Sequence, residues 1–406
     1  MHNIVVIGGG AAGMMAAYSA ATDGKNVVLI EKNEKLGKKL YITGKGRCNL
    51  TNNVTVTEFL NNVVSNPKFL YGALSALSPL DIIDLFEKNG CALKTERGNR
   101  VFPKSDKASD VSKTLQKLLS DNGVKILLNT VVTALIAING QIVGVKTCNG
   151  VLNCDSVIVC TGGVSYPLTG STGDGYTFAR SVGHTVVPLK PSLVGIELAG
   201  STFSCLQGLS LKNVAVSFYN DKGEIYGDFG EMLFTHFGVS GPIILSASCI
   251  LNKYSLDNVR LKIDLKPALS EKTLNDRLVR EFDAGKLKTL LNVMRGLLPQ
   301  ALVETVLDSA KVNGNKRCCD VLKTERMDIV RTLKNLEFKI KGLRPIEEAI
   351  VTSGGISVKE INPKTMESKL VKGLFFGGEV IDVDAFTGGF NIQIAFSTGF
   401  VAGKNA

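Results

Sequence analysis

The sequence predicts an α/β fold in which a glycine-rich α/β domain, assembled from both ends of the chain, is interrupted by a β-rich domain that carries a helical insert. Three observations predict it. The N-terminus reads strand, glycine turn, small-residue helix, strand; near residue 191 the texture changes to half-buried alternation; and residues 270–336 hold only three glycines in 67 positions before a glycine-rich tail restores the opening texture. At 406 residues, 44% hydrophobic and 21% charged, the chain exceeds the roughly 250–300 residues at which a single core stops growing. More than one structural unit is expected.

Asn3–Ile7 is a β-branched run, followed by Gly8-Gly9-Gly10, a stretch of helical spacing through Ala21 and a second apolar run, Asn26–Ile30. Residues 80–89 and 111–122 have the period of amphipathic helices, and 124–128 reads as a buried strand. Residues 131–138, 141–147 and 151–154 alternate as a meander turned at Asn139-Gly140 and Asn149-Gly150, dipeptides that accept the positive φ of tight hairpins. The continuous apolar run 156–160 suits a strand covered on both faces. Beyond 191, the segments 194–198, 214–219, 224–226 and 259–265 alternate like strands with one wet face, and 220–223 reads as a hairpin turn. Leu274, Leu278 and Phe282, then Leu302 and Val306, then Ile329 and Leu333, recur at helical spacing. Residues 336–341 read as a strand leaving these helices. The expected division is therefore 1–190 with 344–406 for the glycine-rich α/β domain, 191–269 with 336–343 for the β-rich domain, and 270–335 for the insert.

No apolar run approaches the roughly 18 residues of a bilayer span, and the apolar opening lacks the basic flank of a secretory signal, so no membrane partner is expected. Nine cysteines without CxxC or zinc spacing fit reduced thiols and a cytoplasmic location. Adjacent Cys318 and Cys319 are expected as thiols too, because a vicinal disulfide is strained. The formal charge of +10 suits an anionic partner, but no basic run reaches five residues. A small-molecule substrate is expected rather than a nucleic acid. No His/Asp/Glu cluster has metal-ligand spacing, and Gly-x-Ser-x-Gly is absent, which leaves metal and hydrolytic chemistry unsupported.

Gly8-Gly9-Gly10-Ala11-Ala12-Gly13 fits GxGxxG directly after a strand and at the start of a helix, with Glu31 closing the next strand 18 residues beyond Gly13. That is the Rossmann dinucleotide arrangement. Gly8 permits the tight turn, Gly10 lets the backbone approach a pyrophosphate, Gly13 lets helix and strand pack closely, and Glu31 accepts hydrogen bonds from a ribose. The helix N-terminus supplies free N–H groups to the phosphates. The position of the motif at residue 8, with Cys160-Thr161-Gly162-Gly163 far downstream, suits FAD, held non-covalently by segments distant in sequence. Gly377-Gly378-Glu379 ends a strand facing the ribityl and phosphate oxygens, and Thr387–Gln393 opens an apolar helix whose N-terminus stabilises negative charge on the flavin ring.

Three further blocks, GKKLYITGKGRCNLTNN at 37–53, GEMLFTHFGVSGPIIL at 230–245 and GGEVIDVDAFTGGFNIQIAFSTG at 377–399, carry a resemblance over nearly the whole chain. The sequence resembles the bacterial flavoproteins grouped as aminoacetone oxidase-like, BaiN-type NAD(P)/FAD-dependent oxidoreductases. That resemblance implies FAD contacts at Gly8, Gly10, Ala12, Gly13, Glu31, Lys32 and Lys39, in the loop Gly46, Arg47, Cys48 and Asn49, at the backbone of Val132 near adenine, and at Gly162. It implies further contacts at Gly378, Glu379, Asp382, Gly389, Asn391 and Gln393. Lys45 departs from the family pattern, which has glycine there.

Arg47 would reach the pyrophosphate or an anionic substrate. Cys48 has no partner cysteine at short range and reads as a packing or backbone-contact residue rather than a redox thiol. His236 precedes Ser240-Gly241-Pro242, a turn that opens a helix. It is the candidate catalytic residue, as a proton donor or substrate-orienting group, with a structural histidine as the alternative. The expected function is FAD-dependent hydride transfer to a small organic substrate. Within the resemblance this is NAD(P)H-linked reduction of an unsaturated, enone-type compound of the steroid or bile-acid kind; the alternatives are O2-dependent oxidation of a small amine and flavin-dependent modification of tRNA or other RNA. With no second GxGxxG in the chain, NAD(P)H would bind only transiently as donor.

Overall fold

The computed structural model describes residues 2–406, which form two compact units, one made of the residues up to Ser192 together with Pro345–Ala406, the other of Leu193–Arg344. The first unit is built on a five-stranded parallel sheet. Its strands are β1 (Asn3–Ile7), β2 (Asn26–Ile30), β3 (Lys125–Leu127), β4 (Ser156–Val159) and β5 (Leu374–Phe376), in the order β5-β4-β1-β2-β3. β1 pairs on both edges, Val5 opposite Val157 and Val28, which is why its apolar run does not alternate. β3 lies at the sheet edge with Lys125 exposed and Ile126 and Leu127 half-buried, so the expectation of a buried strand at 124–128 is corrected. An edge strand keeps one side in water.

Helix α1 (Ala11–Thr22) follows β1, and helix α3 (Phe390–Asn405) ends the chain, with the short helix α2 (Lys38–Ile42) between them. Small residues let α1 and α3 meet at backbone distance. A Cβ added at Gly399 would stand 2.2 Å from the Ala12 carbonyl oxygen, and one at Gly403 would stand 2.1 Å from that of Ala16. Ser19 Oγ donates to the Phe400 carbonyl at 2.8 Å. The two ends of the chain are thus one packed layer. The antiparallel meander Val132–Ile138, Gln141–Thr147 and Gly150–Asn153 turns at Asn139 (φ +51°) and Gly140 (φ +76°), the left-handed pair that a two-residue hairpin needs.

The segment Pro67–Lys88 is long and apolar enough by composition to cross a bilayer, against the expectation that no run qualifies. It is not one continuous helix. Leu77 leaves helical geometry (φ −145°, ψ 90°), and Ser78 caps the next helix through a capping box with Asp81. Leu74, Ile82 and Phe86 are fully buried in the first unit's core.

The second unit is a closed antiparallel barrel of six strands in the order Ile196–Leu198, Gly238–Ser240, Gly223–Thr235, Ser210–Asn220, Arg260–Asp264 and Leu336–Leu343. The hairpin strands are 11 and 13 residues long, far longer than the expected 214–219 and 224–226. Register shifts at Leu211/Val214 and Phe218/Tyr219 break the two-residue period that marks a strand in sequence. Pro242–Leu251 is a helix with Gly241 (φ +102°) before it and Pro242 in its first turn. Helices Glu271–Ala284, Leu290–Met294, Gln300–Ser309 and Lys323–Lys334 share one apolar core with the barrel, in which Leu274, Leu278, Leu302, Val306, Ile329 and Leu333 sit beside Leu261, Ile263 and Leu336.

Candidate functional site

The site grows out of the first turn of the chain. A Cβ at Gly8 (φ +102°) would lie 2.5 Å from the Cys160 carbonyl oxygen, and one at Gly13 would lie 1.8 Å from that of Gly8, so neither position admits a side chain. Gly10 differs: nothing stands within 4 Å of the place its Cβ would occupy. This open space faces the N-terminus of α1, which has neither a side-chain cap nor an acidic residue in its first turn. Its N–H groups point at an anion-sized opening. Glu31, 8% exposed, is fixed at the end of β2. Its Oε2 accepts from Gly9 N at 2.7 Å, and its Oε1 accepts from Asn33 N at 2.8 Å and Asn33 Nδ2 at 2.7 Å.

The C-terminal segment closes the other side. A Cβ at Gly378 (φ +79°) would be 2.7 Å from the Cβ of Ala12, and Gly378 N donates to Thr398 Oγ1 at 2.8 Å. The next residue gathers distant parts of the chain. Glu379 Oε2 accepts from Lys39 Nζ at 2.7 Å, and Oε1 accepts from Ser165 Oγ and Thr352 N, both at 2.9 Å. Lys39 also donates to Ser165 Oγ at 2.7 Å. Gly389 (φ +97°) precedes α3, a second helix N-terminus without a side-chain cap or an acidic first turn. Two buried polar atoms have no hydrogen-bond partner, Asn49 Oδ1 beside Gly389 and Thr161 Oγ1 beside Gly175. A Cβ on Gly389 would stand 2.9 Å from that Asn49 oxygen. Unpaired buried groups are costly unless a ligand completes them. Two uncapped helix N-termini, the orphaned Asn49 oxygen beside Gly389 and an open cradle at Gly10 fit the phosphates and the polar ring edge of FAD.

Other sequence-singled residues serve different partners. Lys32 Nζ pairs with Asp174 Oδ2 at 2.7 Å. Arg47 is engaged away from the glycine turn: its guanidinium pairs with Glu96 and, at 2.7 Å, with Asp106 Oδ1, and lies 4.1 Å over the Phe102 ring. Those bonds hold the Glu96 carboxyl below the usual carboxylate range. Cys48 is fully buried, and burial pushes its thiol up to about 12, so it stays protonated at neutral pH. The loop around it is left-handed at Gly44, Lys45, Gly46 and Cys48 (φ +57°, +59°, +83° and +58°). Lys45 therefore adopts a conformation that glycine takes at less cost.

Asn391 and Gln393 hold protein groups. Asn391 Oδ1 accepts from Ala385 N at 3.0 Å while its Nδ2 donates to Ala385 O at 2.8 Å, and Gln393 Nε2 donates to Leu77 O and Ser397 Oγ at 3.0 Å. Asp382 accepts from Asn66 Nδ2 at 3.0 Å. Val132 is buried at the start of the meander, and Gly162 (φ +74°) lies beside Ser171. His236 belongs to the barrel unit, is exposed, and stands edge-on to Phe237 at 5.1 Å. The sequence reading does not single out Thr161, Ser165 or Thr352. Thr161 sits inside the noted Cys160–Gly163 run, whereas isolated hydroxyls such as Ser165 and Thr352 leave no pattern. Among the described residues, no group of three or more His, Cys, Asp or Glu side chains is arranged to hold a metal ion.

A parallel sheet with a glycine cradle at β1 and a Gly-Gly-Glu closure from the far end of the chain defines a Rossmann flavoprotein, an FAD-dependent oxidoreductase. The chain belongs to the HI0933-like Rossmann family, whose model, the HI0933-like protein Rossmann domain, matches residues 2–405. It is 30% identical over 100% of its length to the 3-dehydro-bile acid delta(4,6)-reductase of Clostridium scindens, covering 99% of that protein. It is 31% identical to the ribosomal RNA dihydrouridine synthase of Haemophilus influenzae, over 98% of this chain and 96% of that one. Among solved structures, a 3-ketosteroid-delta4-(5alpha)-dehydrogenase from Rhodococcus jostii RHA1 shares the fold with a TM-score of 0.53 at 14% identity, over 100% of this chain and 96% of that one. A flavocytochrome c3 fumarate reductase shares it with a TM-score of 0.53 at 19% identity, over 100% and 78%.

Proposed function

We propose that this flavoprotein reduces a carbon–carbon double bond conjugated to a carbonyl group in a small organic substrate, with NAD(P)H as a transient donor. One observation carries the reading: full-length likeness to relatives whose names describe the same bond change. A delta(4,6)-reductase of a 3-dehydro bile acid and a dihydrouridine synthase both saturate a ring double bond polarised by a carbonyl. Bound FAD supplies the hydride chemistry, and the chain supplies binding, orientation and a dry site. The free N–H groups of α1 would hold the pyrophosphate and Glu31 the ribose, and the N-terminus of α3 would favour negative charge on the ring. His236 is the candidate proton donor for the carbanion left by hydride addition.

A second reading is modification of uridine in RNA, favoured by likeness to two ribosomal RNA dihydrouridine synthases and by the charge of +10. The charge is spread evenly, which weighs against it: Leu193–Arg344 holds 22 Lys/Arg and 17 Asp/Glu, leaving 25 and 20 for the rest. Anaerobic stopped-flow absorbance separates the readings. NADH or NADPH is expected to bleach the flavin, and a ring enone to restore its colour faster than O2 does. Reoxidation by O2 alone would make the protein an oxidase of the small-amine kind, and reoxidation only by a uridine-containing RNA would favour the second reading. His236→Asn is expected to slow the enone step by about 100-fold; a rate within a few-fold of the parent would return His236 to a structural role.

A further inference from the structure

A cavity of about 650 Å³ opens between α2 and the turn Pro167–Thr169. Its walls are mainly rings and aliphatic chains, those of Tyr41, Ile42, Tyr166, Pro167 and Leu168. Leu168 is 94% exposed and Ile42 44% exposed, so the rim of the cavity presents apolar side chains to water. Surface of that kind marks a binding site.

Two geometric facts place the cavity beside the cofactor cradle. Lys38 lines the cavity, and the following residue, Lys39, pairs with Glu379 in the cradle. Tyr166 lines the cavity, and the preceding residue, Ser165, donates to the same glutamate. One short helix and one turn therefore serve both spaces through neighbouring residues. Tyr166 also stands in the left-handed region (φ +51°, ψ 60°), an outlier for a bulky ring. It is held there by Tyr166 N donating to the Glu347 carbonyl at 3.2 Å and by Thr169 N donating to the Tyr166 carbonyl at 2.9 Å. Such strain collects at ligand clamps.

The polar groups select the ligand class. Lys38 Nζ is paired with Glu34 at 2.9 Å and donates to Asn33 Oδ1 at 3.2 Å, and Lys35 Nζ sits 4.8 Å over the Tyr41 ring. The cations at the rim are thus already matched, and the Glu347 side chain adds a carboxylate to the lining, which disfavours a phosphate-bearing ligand. Tyr41 and Tyr166 line the cavity, and a tyrosine hydroxyl can donate to a carbonyl oxygen. Binding cavities of roughly 300–1,000 Å³ take ligands of one to several fused rings.

We propose that this cavity binds the organic substrate and that its occupant is a neutral, flat, mostly apolar ring ketone packed against Tyr166. The inference rests on the proposed double-bond reduction and names its substrate site. The test uses the FAD-loaded full chain with androst-4-ene-3,17-dione as probe, read by calorimetric Kd, by the flavin difference spectrum, and by anaerobic reoxidation of the reduced flavin. Leu168→Asp and Tyr166→Ala are expected to weaken probe binding by about tenfold or more, with FAD content unchanged. Leu287→Asp, at a 79% exposed site in the second unit, is expected to leave Kd unaltered. A parent that reduces the probe, with variants of unchanged Kd, would overturn the site while the proposed function stands. A parent that neither binds nor reduces the probe would overturn both. Loss of binding in Leu168→Asp seen for a uridine-containing ribosomal RNA fragment and not for the steroid would overturn the commitment to a neutral ring.

Discussion

Glu31 is a single side chain held rigidly before any ligand arrives. Three N–H donors fix its carboxylate at the end of β2, so a ribose bound as proposed would meet an acceptor already in place. Glu31→Ala should reduce FAD affinity by about 1.5–3 kcal/mol, the worth of a charge-assisted hydrogen bond, as measured by titrating apoprotein with FAD and following fluorescence quenching. Unchanged affinity would remove Glu31 from the site. Lys45 tests a different physical effect. Its left-handed backbone (φ +59°) costs an L-residue roughly 1–2 kcal/mol, and glycine would return part of this to unfolded-chain entropy, about 0.4–1 kcal/mol. Lys45→Gly should therefore raise thermal stability slightly, by up to about 1 kcal/mol, in calorimetry. A drop would mean that the lysine side chain makes a stabilising contact.

At the scale of elements, the contact of α1 with α3 decides whether the two ends of the chain form one domain. Gly399 and Gly403 on α3 sit against the carbonyl oxygens of Ala12 and Ala16, and α1 begins at the glycine cradle. Gly399→Val should cost about 1–3 kcal/mol by overpacking and loosen FAD as well, because Ala12 supports Gly378 from the same turn. Equilibrium unfolding and FAD titration on one variant would check both; a stable variant with normal FAD affinity would show that the layers can part. These elements were legible because glycine, small-residue spacing and β-branched runs are local signals. The long barrel hairpin was only partly legible, since its register shifts interrupt the alternation, and the edge position of β3 was not legible because pairing partners lie far away in sequence.

At the scale of the whole molecule, His184 ties the middle of the chain to its C-terminal third. Its Nε2 is 2.7 Å from Ser368 Oγ, its ring packs edge-on to Phe376 at 4.9 Å, and its Nδ1 lies 3.2 Å from Glu360 Oε2 but off the hydrogen-bonding line. Burial lowers the His184 pKa, and the nearby Glu360 carboxylate only partly offsets this. A histidine with a folded-state pKa below its unfolded value of about 6.5 contributes stability that is complete above that value. The contribution is lost as the pH falls from about 6.5 toward the folded pKa, with a slope of at most about 1.4 kcal/mol per pH unit. Chemical unfolding at pH 7.5 and 5.5 should show the parent losing more stability than His184→Asn over that interval. Equal losses would place the acid sensitivity elsewhere.

By itself the sequence determined the α/β class, the glycine turn with Glu31 as its acidic partner, and the return of the C-terminal segment to the cofactor unit. Each of these is set by residues whose φ preference, size or charge is local: Gly8 and Gly13 for backbone approach, Glu31 for its place at the strand end, Gly378 and Gly389 for positive φ. The tertiary structure alone decided that Lys39, Ser165 and Thr352 converge on Glu379, that Arg47 turns to Glu96 and Asp106, and that Asn49 Oδ1 and Thr161 Oγ1 are left without partners. Hydrogen bonds such as that between Lys39 and Glu379, 340 positions apart, leave no periodicity in a sequence. Only the folded backbone fixes which donor meets which acceptor.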